Sequence, residues 1–359
     1  MIQGTRRHII NHVAGSAERA LFDSAARDNC TEPYMMLRDK FAEQGYLFEG
    51  VSDQPLADCR WVVFWDTWGV AIEGPYGRLI HQLKARLGKG PTRDLFREAM
   101  RAGLSERVVL FMFEPPSVYP RNYDLRLHQH FHIIFTWDPA LVDGRKYHRI
   151  YLPNPVTFPT VSSVPFPERK LLVDISGYKF SAHPRELFTA RRQLVRFFTR
   201  YCPEEFDLYG EGWNMTLRQY LWRRLRDRNV RREFFPAYRG PVRHKWDVYP
   251  QYKFGVCYEN IVDQPGYVSL KIFDCMRAGC VPIYLGAPDI ATYVDRDAFV
   301  DRRTFRSNDD LARFISGMSE SEHARYRQAA REYLHSDRFK PFLAEHFVDT
   351  VTTALEAAS

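Results

Sequence analysis

Residues Tyr252–Gly286, YKFGVCYENIVDQPGYVSLKIFDCMRAGCVPIYLG, restrict the fold of this chain more than any other stretch. Tyr252–Tyr258 is a short apolar run rich in aromatics, the pattern of a buried strand. The Pro265-Gly266 pair marks a turn. Ser269 can cap a helix in which Ile272, Phe273 and Met276 share a face, and Gly279 suits the position just past its end. Cys280–Leu285 is a second apolar run, closed by Gly286. Strand, crossover helix and strand make a βαβ unit, whose ligand crevice lies beyond the carboxyl ends of the strands. Asn260, Tyr267 and Lys271 fall at that edge. Lys271 belongs to the first helical turn, where backbone N–H groups already attract an anion, so its charge suits a diphosphate. On spacing alone, the same lysine reads equally well as an exposed helix residue of any α/β protein.

The rest of the chain repeats this alternation. Cys59–Trp65, Arg107–Phe113 and Phe131–Trp137 read as buried strands, with helix-like segments at Tyr34–Phe41, Leu79–Leu87 and Thr92–Ala102. Strands alternating with helices imply a mostly parallel sheet. Tyr151–Lys170 holds five prolines and reads as a linker. A second α/β pattern follows, with strands at Leu171–Ile175 and Phe206–Tyr209 and an amphipathic helix over Arg185–Arg200. Helices over Asp310–Met318, Glu322–Leu334 and Phe339–Leu355 close the chain. At 359 residues there is room for two full cores. The division expected is 1–160, 161–335 and a final segment, 336–359, packing back across both domains.

Composition limits the partners. Lys and Arg exceed Asp and Glu by 51 to 44, a net charge of +7, which suits an anionic ligand or an anionic membrane surface. The opening MIQGTRRHIINHV lacks the apolar core of a signal peptide, and no apolar run reaches 18 residues. The six cysteines show no CxxC spacing and read as reduced thiols of a cytoplasmic protein. His128, His130 and His132 alternate as on one strand face, but no Asp or Cys cluster completes a metal site. The arginine-dense run RRLRDRNVRREFF reads as helix surface rather than a nucleic-acid patch. Neither GxGxxG nor a P-loop occurs, which weighs against dinucleotide enzymes and NTPases.

The stretch Tyr252–Gly286 also resembles the donor-site signature of the fucosyltransferases of glycosyltransferase family 10. The match runs through Tyr252, Lys253, Phe254, Cys257, Glu259, Asn260, Gly266, Tyr267, Val268, Lys271, Val281, Pro282, Ile283 and Gly286. It departs at Ser269-Leu270, where the family carries Thr-Glu and the glutamate is placed to bind the nucleotide ribose. The resemblance implies a GT-B fold: two Rossmann-like α/β domains with C-terminal helices, the acceptor on the first and a GDP-sugar on the second. It implies an inverting transferase needing no cofactor or metal beyond its GDP-sugar co-substrate. Glu114, just past a buried strand and before two prolines, matches the family's candidate base. Arg191, in ELFTARRQLVRFF, matches its phosphate-binding arginine, with Arg192 as the neighbouring alternative. Arg191, Lys253, Glu259, Asn260, Tyr267 and Lys271 form the implied donor set. The implied acceptor is an oligosaccharide or glycolipid of a surface glycan such as lipopolysaccharide or capsule, modified at the inner face of the membrane. Two other readings stand beside this one: a transferase using a different nucleotide sugar, and a catalytically weak glycan- or nucleotide-binding protein.

Overall fold

Among the described residues, the alternation of apolar runs and amphipathic helices folds into two sheets of six strands, with every pairing between the named strands parallel. The computed structural model describes residues 7–12, 26–50, 55–67, 70, 94–158, 164–226 and 230–358. The chain forms two units: residues 1–157 with 341–359, and residues 158–340. The exchange thus falls inside the proline-rich stretch, and the chain returns to its first unit at Pro341.

In the first unit the strands are β1 (Arg7–His12), β2 (Tyr46–Glu49), β3 (Cys59–Trp65), β4 (Val108–Met112), β5 (Ile133–Thr136) and β6 (Tyr147–Arg149), ordered β2-β1-β3-β4-β5-β6. Alternate side chains of a strand point to opposite faces. Trp61, Val63 and Trp65 of β3 therefore join one core, and Val62 and Phe64 join the other. Helix α1 (Glu32–Glu43) contributes Leu37 and Phe41 to the first core. Helix α2 (Leu95–Arg101), capped by the Asp94 side chain, contributes Leu95, Phe96 and Ala99 to the second. The predicted segment Leu79–Leu87 lies outside the described residues.

In the second unit, β7 (Lys170–Ile175), β8 (Phe206–Tyr209), β9 (Tyr238–Gly240), β10 (Tyr252–Tyr258), β11 (Val281–Leu285) and β12 (Val300–Asp301) run in the order β12-β11-β10-β7-β8-β9. Helix α3 (Phe188–Tyr201) carries the chain from β7 to β8. Helix α4 (Leu217–Arg226) follows β8, and α5 (Leu270–Arg277) joins β10 to β11. Helices α6 (Asn308–Ser316), α7 (Glu320–Leu334) and α8 (Ala344–Ala357) complete the chain. Leu194 and Phe198 of α3 pack with Leu172, Phe206, Phe254 and Ile283 of the sheet. Phe273 of α5 meets Phe339 at 5.1 Å on the other side. The α8 residues Phe347, Val351 and Leu355 pack into the first unit's core beside Trp65 and Phe111. Among the described residues, no helix is long and apolar enough to cross a membrane.

One local expectation is corrected. The three alternating histidines do not share a strand. His128 ends a short helix with its ring held between Asn122 O at 2.6 Å and Tyr147 Oη at 3.1 Å, and β5 begins only at Ile133. His132 stacks on Trp61. No group of three potential metal ligands occurs among the described residues. The six cysteines are free thiols.

Candidate functional site in the second unit

The chain leaves β7 through α3 towards β8 and leaves β10 through α5 towards β11, in opposite directions along the sheet. Adjacent strands with diverging connections define a topological switch point, and the ends of β7 and β10 open a crevice there. The two crossover helices bring Arg191 and Lys271 to it, both in their first turns.

Lys271 is held from two sides. Its Nζ donates to Glu259 Oε2 at 3.1 Å and to Asn260 Oδ1 at 3.3 Å. Glu259 is fully buried, and its oxygens also accept from the Ser269 backbone N–H at 2.8 Å and the Ser269 hydroxyl at 2.6 Å. Ser269 therefore caps α5 by position while its hydroxyl serves the glutamate. A Cβ on Gly286 would lie 2.5 Å from Glu259 Cγ, so the glycine ending the VPIYLG run makes room for this carboxylate. Lys271 keeps 27% of its side chain exposed, enough to reach a ligand. Desolvation pulls its pKa down and Glu259 opposes this, leaving a cation anchored from below.

Three sequence expectations are refined by these positions. Glu259, expected to touch the donor, instead lies beneath the lysine as its counter-charge. Tyr267 is only 3% exposed and its hydroxyl meets the Asn260 side-chain amide at 3.4 Å, so it supports Asn260 from within. Lys253 stands near the start of β10, seven residues before Asn260, or about 20 Å at ordinary strand rise. Its ammonium rests over the Phe166 ring at 4.2 Å, and the structure does not bring it to the carboxyl edge.

Arg191 is 4% exposed, and its Nη2 donates to the carbonyls of Tyr258 at 2.8 Å and Glu259 at 3.1 Å. It fastens the end of β10 to α3 as well as adding charge. Arg192 turns elsewhere, to the Lys179 carbonyl and over the Phe180 ring at 4.2 Å. The sequence reading missed Asp174 on β7, which is fully buried, with Oδ2 accepting from Ser176 and Oδ1 lacking a hydrogen-bond partner. Burial pushes its pKa up to about 6, against the pull of Arg191, Ser176 and Lys271. A carboxyl with a raised folded-state pKa contributes least to stability when ionised, so stability declines as pH rises from about 4 through 6. Asp174→Asn should remove that decline and raise stability by about 1–3 kcal/mol above pH 6, read from urea midpoints across pH. A flat wild-type profile over that range would show that Asp174 titrates normally.

Glu114 belongs to the first unit, at the carboxyl end of β4. Its backbone N–H and that of Phe113 both donate to Asp66 Oδ1, at 3.0 and 2.8 Å. Asp66 ends β3 with φ 54°, and Asn122 Nδ2 bridges Asp66 Oδ1 at 2.5 Å and the Glu114 carbonyl at 3.2 Å. The Glu114 backbone is thus fixed by two neighbours that the sequence reading did not single out. The signal for Asp66 was present: a lone acid at the end of the apolar run CRWVVFW. Buried phenols of Tyr34 and Tyr123 lie close enough for Asp66 and Glu114 to add to the upward push of burial on their pKa values.

Residues 189–340, which hold Arg191, Glu259, Asn260 and Lys271, match the model of the C-terminal part of glycosyltransferase family 10 (fucosyltransferase). Alpha-(1,3)-fucosyltransferase FucT of Helicobacter pylori is 35% identical over 74 residues, which cover 21% of this chain and 15% of that protein. The chain spans 15% and 29% of the lengths of the first two curated relatives it matches. A crystal structure of an alpha1,3-fucosyltransferase with GDP-fucose superposes over 98% of this chain and 90% of its own, at 16% identity and TM-score 0.51. An alpha-glucosyltransferase in complex with UDP superposes over 96% and 99%, at 11% identity and TM-score 0.55. Both likenesses place the fold in the GT-B class. Taken with the switch-point cations and the Tyr252–Gly286 signature, the match shows that residues 189–340 of this chain are similar to the C-terminal part of glycosyltransferase family 10.

Proposed function

We propose that this protein is an inverting glycosyltransferase that moves fucose, or a related sugar, from a GDP-sugar to a hydroxyl of a surface-glycan acceptor. The observation that carries the reading is Lys271, anchored by Glu259 and Asn260 at the end of β10 and still partly open to solvent. The charge that develops on the leaving diphosphate needs a fixed cation, and Lys271 with the first turn of α5 supplies one without a metal. Arg191 adds positive potential from the opposite helix. Glu114 takes the proton of the acceptor hydroxyl as its oxygen attacks the anomeric carbon and the bond to the diphosphate breaks. The GDP-fucose bound in the structural neighbour and the fucosyltransferase names of the curated relatives support the donor. The net charge of +7 supports a peripheral location on an anionic membrane at its cytoplasmic face, where a glycolipid acceptor is within reach. Incubation with GDP-fucose and a mixed set of oligosaccharide acceptors should release GDP and yield fucosylated product. GDP binding without product from any nucleotide sugar would leave a binding protein.

Leu270 favours a second reading, in which the donor is another nucleotide sugar. A leucine cannot accept hydrogen bonds from a ribose. The nearby acids do not replace it: Asp263 is exposed in the turn, and Asp289 is committed to the Gly266 N–H at 3.0 Å and the Tyr293 hydroxyl at 3.2 Å. The diphosphate contacts should therefore dominate affinity. Leu270→Glu should tighten GDP binding by about 1–2 kcal/mol, and wild-type protein should bind GDP and 2′-deoxy-GDP alike. Strong wild-type discrimination against the deoxy nucleotide would mean that another residue reads the ribose.

A further inference from the structure

Helix α4, LRQYLWRRLR, is built inside out. A surface helix normally turns its apolar stripe inward and its charges to water. Here Leu217, Leu221 and Leu225 recur at i, i+4 and i+8, with Trp222 beside them, and they are 54%, 53%, 86% and 53% exposed. The half-buried side is Tyr220, Arg223 and Arg224. Tyr220 packs against the core, Arg224 donates to the Val230 carbonyl at 3.2 Å, and Arg223 is wedged beside Gly212. The helix carries four arginines and no acid. The stretch after it continues the theme: Arg231 and Arg232 are exposed and Phe234 is 78% exposed. Its acid, Glu233, is engaged by Arg196 at 2.5 and 2.6 Å. Bonds from Arg232 to the Met215 carbonyl and from Phe235 N to Asn214 fix this stretch against the start of the helix.

We propose that α4 and residues 230–235 form a docking surface for an anionic phospholipid bilayer. Leu217, Leu221, Trp222 and Leu225 enter the headgroup boundary, while Arg218 and Arg231 pair with lipid phosphates. Leucine and tryptophan outermost, framed by arginine, is the arrangement that an acyl–headgroup boundary accommodates. A second copy of the chain is a poor occupant, because a two-fold contact would set these arginines against their own equivalents. Nucleic acid is a poor one too, since phosphate contact needs the charges, not the leucines, outermost. The proposal gives the peripheral location a named surface, and its test requires no turnover.

The full chain should co-sediment with vesicles of phosphatidylcholine plus phosphatidylglycerol, more weakly as salt rises, and not with phosphatidylcholine alone. Leu225→Glu should weaken partitioning roughly tenfold to a hundredfold, and Arg218→Gln and Arg231→Gln roughly fivefold each. GDP affinity and circular dichroism should not change in any of them, because these side chains are exposed and distant in sequence from the donor cations. Equal vesicle binding by Leu225→Glu and wild type would overturn the proposal. So would a dimer that Leu225→Glu dissolves, or wild-type binding indifferent to lipid charge. Loss of transfer activity with vesicle binding intact would count against the proposed function alone.

Discussion

Glu114→Gln should lower sugar transfer by roughly 10²–10⁴-fold while leaving GDP affinity unchanged. The amide keeps the shape of the side chain but cannot take a proton from the acceptor. The surrounding geometry favours a clean result, because bonds to its backbone help to hold this residue in place. Asp66 accepts from the Phe113 and Glu114 N–H groups, and Asn122 donates to the Glu114 carbonyl. None of these is lost on substitution. Single-turnover rates and calorimetric GDP titration, run on the same preparation, separate the two quantities. A rate loss explained entirely by weaker GDP binding would assign Glu114 to the donor site instead.

Lys271→Ala should cut turnover tenfold to more than a hundredfold, the worth of one charge-assisted bond to a phosphate. It should also destabilise the second unit, because Glu259 is fully buried and would lose the ammonium that pairs with it at 3.1 Å. Breaking a buried pair from one side costs about 3–5 kcal/mol. The two effects separate in the double variant Lys271→Ala/Glu259→Gln. There the buried charge is gone, and Ser269 can still bond the amide oxygen. Stability should recover in large part; turnover should not. Recovery of both would show that Lys271 serves the fold and not the leaving group.

The second unit was the more legible half. Tyr252–Tyr258 and Phe206–Tyr209 are strands with the bounds that their apolar runs suggested, and Gly279 takes the left-handed φ of 68° that ends α5. Strands buried on both faces are continuous apolar runs, so their limits are written in composition. The short edge strands β2, β6, β9 and β12 carry polar residues, and their pairing comes from neighbours distant in sequence. The partnership of Glu259 with Lys271 was hidden for a related reason. The family resemblance put both in one donor set, but only the packing around Gly286 shows that the acid lies underneath the base. Lys253 shows the limit of carrying residues over by motif: it belongs to the signature yet stands at the far end of its strand. Asp174 gave no signal, because one acid inside LLVDIS looks like an ordinary interruption of a strand.

The return of the chain to its first unit has a consequence for synthesis. Trp65, Phe111 and Phe135 are translated before the second unit, but α8, whose Phe347, Val351 and Leu355 share their core, is translated after it. Roughly 180 residues of the second unit intervene, about 10–40 s of elongation at ordinary ribosomal rates. Through that interval α1 covers part of this core with Leu37 and Phe41, but the places of Phe347, Val351 and Leu355 stay unfilled, so the first unit completes its core only after the second unit has been made. Chaperone demand should concentrate on the half of the protein that is made first.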